Sequence, residues 1–182
     1  MPVKFTTSYL EDALGIFHTY KKMGEAAMAQ VADEQLFATL DPESNSIAII
    51  VKHIAGNMRS RWTDFLTTDG EKPDRNRDTE FEAPPAGRAA LMEMWERGWS
   101  HVFGALAGLT EAELGRTVYI RGEAHSVMQA ITRQLTHYAM HIGQIVMLSK
   151  HFGSDGWRSL TVPRGKSEEF NRRVTAGEAS QR

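Results

Sequence analysis

Cysteine is absent from the 182 residues of this chain. That absence excludes disulfide bonds, cysteine-ligated zinc, iron–sulfur clusters and a protein thiol nucleophile, and it is compatible with a reducing cytoplasm. Any thiol chemistry must therefore use a thiol that a partner or cosubstrate brings.

The chain also lacks a strong charge of one sign and a long hydrophobic run. Its formal net charge is -2, so no general basic field is available to hold a nucleic-acid backbone, and we expect no nucleic-acid partner. The longest aliphatic run, 47–51, is far too short to span a bilayer, and the first residues contain no signal-peptide core. We expect a soluble, cytoplasmic protein with no membrane partner.

Several motifs of familiar enzymes are missing as well. No Glu-x-x-His and no His-Glu-x-x-His occurs in the sequence, which argues against a ferritin-like di-iron bundle and against zincin proteases. The nucleophile elbow G-x-S-x-G and the Walker glycine loop are also missing.

Apolar residues recur at helical intervals in four long stretches, which predicts four helices. The capping-box spacings Ser8-x-x-Glu11 and Thr110-x-x-Glu113 mark the start of the first helix and a short turn after the third. Gly153 lies where a C-cap glycine would end the fourth helix. The predicted helical ranges are 8–38, 47 to about 68–70, 86–109 and 124–152.

The segments between these helices are short, with one exception. Residues 71–85 are charged and close with two prolines, which predicts a long surface loop. Residues 117–122 look like an extended piece and a turn, too short to count as a sheet. We therefore predict an all-α fold, a four-helix bundle forming one domain over 1–174, with a polar, disordered tail over 175–182. The tryptophans Trp62, Trp95 and Trp99 are expected in its core.

Two histidines four residues apart stand out on the fourth helix. Residues i and i+4 share a helix face, so His137 and His141 present two imidazoles at a spacing that one metal ion can bridge. Both lie on one flank of that helix's apolar stripe, and His53 lies on the same-handed flank of the second helix at nearly the same angular offset. His53 is therefore the predicted third ligand. Three imidazoles leave a coordination position open, as in catalytic metal sites.

Other polar side chains share these flanks. Asn57, Gln134 and Gln144 lie near the histidines, where each could orient an imidazole or bond a metal-bound water, or could simply solvate the open end of the bundle. Arg61 and Arg133 could hold a carboxylate, or could be surface charges. No residue is assigned a catalytic role.

These residues carry a family resemblance. His53 with His137-x-x-x-His141-x-Gly143-Gln144 resembles the DinB-like (YfiT-like) superfamily of metal-binding four-helix bundles. Three longer stretches narrow the resemblance to its DUF1572 branch, and the similarity covers nearly the whole chain before the polar tail. They are SIAIIVKHIAGNM at 46–58, RWTDFLTTDGEK at 61–72 and PRGKSEEFN at 163–171.

The resemblance implies a bundle of the DinB/YfiT-like type, with a long loop between helices 2 and 3 and an extended C-terminal segment. It also implies a divalent metal held by His53, His137 and His141, and frequently a homodimer. Zinc or nickel is expected first, with iron or manganese as alternatives. Members of the wider superfamily include S-transferases and isomerases that use low-molecular-weight thiols such as bacillithiol or mycothiol.

Two functions follow as hypotheses. In the first, the protein is a metal-dependent transferase that activates an exogenous low-molecular-weight thiol for attack on a small-molecule substrate. In the second, it is a non-catalytic, stress-related dimeric bundle in which the metal stabilises helix packing. A metal-assisted hydrolase is less attractive, because the only carboxylate on the His53 flank of its helix is Asp64, about three turns away.

Overall fold

Most of the chain is helical in the computed structural model, which describes residues 8–180. The α-helices are α1 Tyr9–Met28, α2 Ile47–Trp62, α3 Arg88–Leu106, α4 Val127–Gly153 and α5 Ser167–Thr175. Single 3-10 turns lie at Glu34–Leu36, Asp78–Phe81, Glu111–Glu113 and Ser154–Gly156. The two strands are β1 Thr117–Ile120 and β2 Glu123–Ser126.

Four helices pack around one apolar core. α1 contacts α4 and α3, and α2 contacts α3 and α4. The predicted core tryptophans Trp62, Trp95 and Trp99 are buried there, beside Phe17 and Tyr138. Trp62 Nε1 donates to the Tyr138 hydroxyl at 3.0 Å, so a polar contact fixes α2 against α4 within the core.

The first helix is shorter than the predicted 8–38. Ser8 and Glu11 form the expected capping box, but α1 ends at Met28. The apolar spacing continues beyond α1 to Val31 and Leu36, and both side chains are buried. Val31 lies in the irregular segment after α1, and Leu36 lies in the 3-10 turn that follows. The apolar spacing therefore predicts correctly which residues are buried, but residues 29–38 are not helical apart from a single 3-10 turn.

The second helix also ends early, at Trp62 and not near 68–70. Thr63 is extended and Asp64 has a φ of 48°, a left-handed conformation that aspartate tolerates better than most residues. Phe65 continues the apolar spacing from this turn, with its ring centroid 4.9 Å from that of Trp62. Tertiary packing, not helix continuation, explains the pattern.

The prediction that residues 117–122 are too short for a sheet is wrong. β1 and β2 form an antiparallel hairpin in which Ile120 faces Glu123. Arg121 and Gly122 both have positive φ, of 58° and 76°, as a two-residue type I′ turn requires. Asp69 accepts hydrogen bonds from the backbone amides of both turn residues, at 2.8 and 2.7 Å, so the hairpin is fixed to the loop after α2.

The bounds of α4 differ from the prediction because of this hairpin. Residues 124–126 belong to β2, and α4 begins at Val127 after a Ser126–Gln129 capping box. At the other end Gly153 has an ordinary φ of -77°, and Ser154 carries the positive φ. A Cβ on Gly153 would lie 3.2 Å from the carbonyl oxygen of Gln30. Gly153 therefore permits close packing and is not the expected C-cap.

The C-terminal segment contains a short helix, α5, that sequence analysis did not anticipate. Thr175 ends α5, and of the predicted tail, residues 181–182 lie outside the described part, as do residues 1–7. The single domain over 1–174 and the disordered tail stay predictions. Within residues 8–180, no helix combines the length and the apolar character that a membrane span needs.

Candidate metal centre

The three predicted histidines meet in the seam between α2 and α4. His53 is 4% exposed and His141 is 9% exposed, while His137 is half-buried. The Nε2 atom of His137 lies 3.4 Å from Nε2 of His53 and 3.2 Å from Nε2 of His141. One ring nitrogen from each histidine lies within 4.8 Å of the other two.

These separations suit a single metal ion. Two nitrogens bound to one zinc at about 2.0–2.1 Å, with a tetrahedral angle between them, are about 3.3 Å apart. The observed separations of 3.2 and 3.4 Å bracket that value. Two of the three nitrogen–nitrogen separations therefore match those at a shared divalent cation, although ligation itself stays a prediction.

Hydrogen bonds at the opposite ring nitrogens orient two of the imidazoles. His53 Nδ1 lies 2.8 Å from Glu80 Oε2, and His141 Nδ1 lies 2.7 Å from Gln144 Oε1. A carboxylate or amide oxygen accepts, so each Nδ1 carries the proton and each Nε2 turns its lone pair towards the cluster. The tautomers are therefore those that a metal ligand needs.

His137 differs from its neighbours because its buried Nδ1 has no hydrogen-bond partner within the described residues. Burial, followed by the proximity of His141 and His53, lowers the pKa of His137 to about 3. Burial also lowers the pKa of His141, although the Gln144 hydrogen bond opposes this shift. Both imidazoles are therefore neutral at pH 7, as metal ligands must be.

Glu80 is the main residue of the site that sequence analysis missed. It lies in the loop predicted to be exposed, yet it is only 6% exposed. Arg75 donates to both of its oxygens, Nε to Oε1 at 2.8 Å and Nη2 to Oε2 at 2.9 Å. Burial raises the pKa of Glu80, but the hydrogen bonds of His53 and Arg75 outweigh this and leave it below its usual range. Glu80 is therefore an ionised partner of His53.

A glycine on α2 makes room for this carboxylate. Gly56 lies one turn after His53, and a Cβ there would be only 2.4 Å from Glu80 Oε1. Lys52 donates to the backbone carbonyls of Thr79 and Ala83, holding the same 3-10 turn against α2. A glycine three residues after His53 is the sequence signal that could have indicated another side chain packing beside that histidine.

Three further ion pairs meet at Glu71, in the same loop as Arg75. Glu71 accepts from Arg75 at 3.3 Å and from Arg61 at 2.9 Å. Arg121, in the hairpin turn, contacts the same carboxylate at 3.1 Å. The segment that supplies Glu80 is therefore fixed to both α2 and the hairpin.

The three predicted amides lie in different surroundings. Gln144 contacts His141 as described above. Asn57 is buried, but its Oδ1 accepts from the Tyr138 hydroxyl at 3.1 Å and not from a histidine. Gln134 is 3% exposed, and its Oε1 has no partner within residues 8–180. Only Gln144 is thus placed to orient an imidazole of the cluster.

A cavity of about 490 Å³ opens beside His53 and His137. Its size falls in the range of small-molecule sites. Arg61 and Arg133, both singled out from the sequence, line it together with Asn57 and Gln134. The cluster therefore has an open side that a ligand of this size can reach.

Fold and site together define a mostly helical protein with a buried three-histidine group that could hold a metal ion. A family model described as a protein of unknown function, DUF1572, matches residues 4–166. Because this match covers most of the chain, the chain belongs to the DUF1572 family. No curated protein matches the chain.

Proposed function

We propose that this protein binds a divalent transition metal through His53, His137 and His141, and uses it to transfer an exogenous low-molecular-weight thiol to a small-molecule electrophile. The observation that carries the proposal is the cavity of about 490 Å³ that borders two of the three histidines. A structural metal site is closed by four protein ligands, whereas a catalytic site keeps a position open. Three histidines beside a cavity match the second arrangement.

The chemistry divides between the metal and the chain. A divalent cation held by the three Nε2 atoms would supply Lewis acidity that lowers the pKa of a thiol entering from the cavity. In the transfer, the thiol loses its proton to solvent, its sulfur bonds to an electrophilic carbon, and the leaving group departs with the bonding electrons. The chain contains no cysteine that would compete.

The residues around the histidines prepare the site before any ligand arrives. Glu80 and Gln144 fix the Nδ1 protons of their histidines, which keeps both Nε2 lone pairs directed at the metal position. Arg75 holds Glu80 ionised and in place. Glu80 lies on the Nδ1 side of His53, away from the cluster, so it is not placed to act as general base for a hydrolase.

Membership of the DinB-like superfamily is part of the same proposal. Its support is the packing of four long helices, the long connection between α2 and α3, and histidines on the second and fourth helices. We further propose a homodimer, as the resemblance to that superfamily implies. Sedimentation velocity at micromolar concentration tests it, and a monomer there would contradict it.

Elemental analysis of untagged protein purified without added metal tests the foundation of the proposal. We expect about one transition metal per chain in the wild type and little in His53→Ala and His137→Ala, because both helices contribute to one site. His151→Ala, an exposed histidine near the end of α4, is the control and should retain the metal. Near-zero metal in every protein, even after incubation with zinc, nickel, iron(II) and manganese, would refute the proposal.

Cobalt substitution then separates the transferase from the non-catalytic alternative. A thiol that reaches the open position should change the visible spectrum of the cobalt protein reversibly. Bacillithiol, mycothiol, glutathione and cysteine are the probes. If none of the four thiols changes the cobalt spectrum, the transferase hypothesis fails. A metal that stabilises helix packing is then the better explanation.

A further inference from the structure

The cavity beside the histidines is lined by an unusual number of arginines. They come from α2, from the loop after it, from the hairpin turn and from α4, so four separate segments converge on one space. The five are Arg61, Arg75, Arg77, Arg121 and Arg133. This concentration is unexpected in a protein whose formal net charge is -2.

Carboxylates neutralise only part of this charge. Within the described residues, the carboxylates ion-paired with these arginines are Glu71 and Glu80. Arg77 and Arg133 are exposed, and neither forms an ion pair within residues 8–180. The lining therefore carries an excess of positive charge in a partly enclosed space, where charge interactions are stronger than in open solvent.

Two buried polar groups of the same lining lack partners. Arg61 is 5% exposed and its Nε has no acceptor, while the Oε1 of Gln134 has no donor, within the described chain. A buried N–H without an acceptor costs free energy, which a ligand that reorients the side chain can recover. The amide of Gln134 has the same shape in either orientation, so it can also present its N–H₂ to an acceptor.

We propose that this cavity binds a small molecule through a carboxylate or phosphate group, held by Arg61, Arg77 and Arg133. Guanidinium groups pair with both kinds of oxyanion through charge-assisted hydrogen bonds. His53 and His137 border the same cavity, so the remainder of the ligand extends towards the metal position. Anion binding stands by itself, whereas the link to the metal rests on the proposed function.

Calorimetric titration of the purified protein with inorganic phosphate, succinate and neutral succinamide tests the proposal. Ionic strength is held constant, because salt screens exposed charges. We expect saturable binding of phosphate or succinate and none of succinamide. Arg77→Gln and Arg133→Gln should each weaken anion binding about ten-fold. Arg173→Gln, on exposed α5 and outside the cavity, is the matched control and should bind as the wild type does.

The outcomes distinguish this inference from the proposed function. Equal binding of succinate and succinamide, no saturable binding of either anion at millimolar concentrations, or unchanged binding by both arginine variants would overturn it. Binding of only phosphate or only succinate supports it and identifies the oxyanion. His137→Ala should lose metal yet retain anion binding, so an anion site in a protein that never binds metal would refute the proposed function alone.

Discussion

Replacing Glu80 by glutamine removes the charge that orients His53 while keeping the shape of the side chain. Glu80 connects two buried groups, since it accepts from His53 on one side and from Arg75 on the other. The amide keeps one acceptor but turns an N–H₂ towards groups that are donors. The variant should therefore disturb both metal affinity and folding stability.

The two expected magnitudes come from different contacts. Loss of a carboxylate that orients a ligating histidine typically costs about 10–100-fold in metal affinity. Removing one partner of a buried ion pair costs roughly 3–5 kcal/mol of the free energy of unfolding. The side chains of Glu80 and Arg75 are only 7% and 3% exposed, so solvent and salt screen this ion pair only slightly. Arg75 keeps its contact with Glu71, which places the expected loss near 3 kcal/mol.

Two measurements separate these effects. Metal affinity is measured by competition with a chromophoric chelator, and stability by urea unfolding of metal-free protein, followed by fluorescence of the buried tryptophans. Glu82→Gln is the control, because Glu82 is exposed, lies two residues from Glu80 and makes no ion pair within residues 8–180. It should match the wild type in both assays.

The results can contradict each part of the reasoning. If Glu80→Gln binds metal as tightly as the wild type but unfolds more easily, Glu80 only anchors the loop and does not orient His53. If it is as stable as the wild type, the buried ion pair contributes nothing, and the contact with Arg75 has been misjudged.

Three other predictions follow from single contacts. Gly56→Ala should displace Glu80 and weaken metal binding, whereas Gly104→Ala, with no atom within 4 Å of the added Cβ, should stabilise its helix by about 0.5–1 kcal/mol in urea unfolding. Gln144→Ala should weaken zinc affinity about ten-fold in chelator competition, because an imidazole loses its orienting acceptor. A wild-type affinity would contradict that role. The metal-free protein should lose stability as pH falls from about 6.5 towards 3, since the unfolded chain protonates His137 at its ordinary pKa and the folded chain does not. His137→Asn should reduce that loss, and an unchanged urea profile across this pH range would count against a buried, neutral imidazole.

Sequence periodicity predicted the part of the site that lies on regular helices. The position of a residue on a helix face depends only on its spacing along the sequence. Spacing alone therefore places His53, His137 and His141 on equivalent flanks of the apolar stripes of their helices. The structure brings these three together. The same reasoning overextended α1 and α2, because buried residues in turns repeat the apolar spacing of a helix.

The parts that periodicity could not predict lie on irregular backbone. The residues around Glu80 have the polar composition of a surface loop. Glu80 is buried because it contacts Arg75 and His53. The hairpin likewise depends on Arg121 adopting a positive φ, for which a non-glycine residue gives little sequence signal. Long-range ion pairs of this kind have no fixed spacing along the chain.

The histidine cluster and the arginine-lined side of the cavity depend on different parts of the fold. The three histidines lie on two packed helices, α2 and α4, whereas Arg77 and Arg121 lie on the loop and the hairpin turn that line the cavity. Substitutions in the loop and the hairpin turn can therefore change the cavity lining without moving the three histidines. Phe81 connects the two regions, because the centroid of its ring lies 4.9 Å from the Arg77 guanidinium and 4.6 Å from that of the His53 ring. A ligand that moves the Arg77 guanidinium therefore also acts on a side chain that packs against His53.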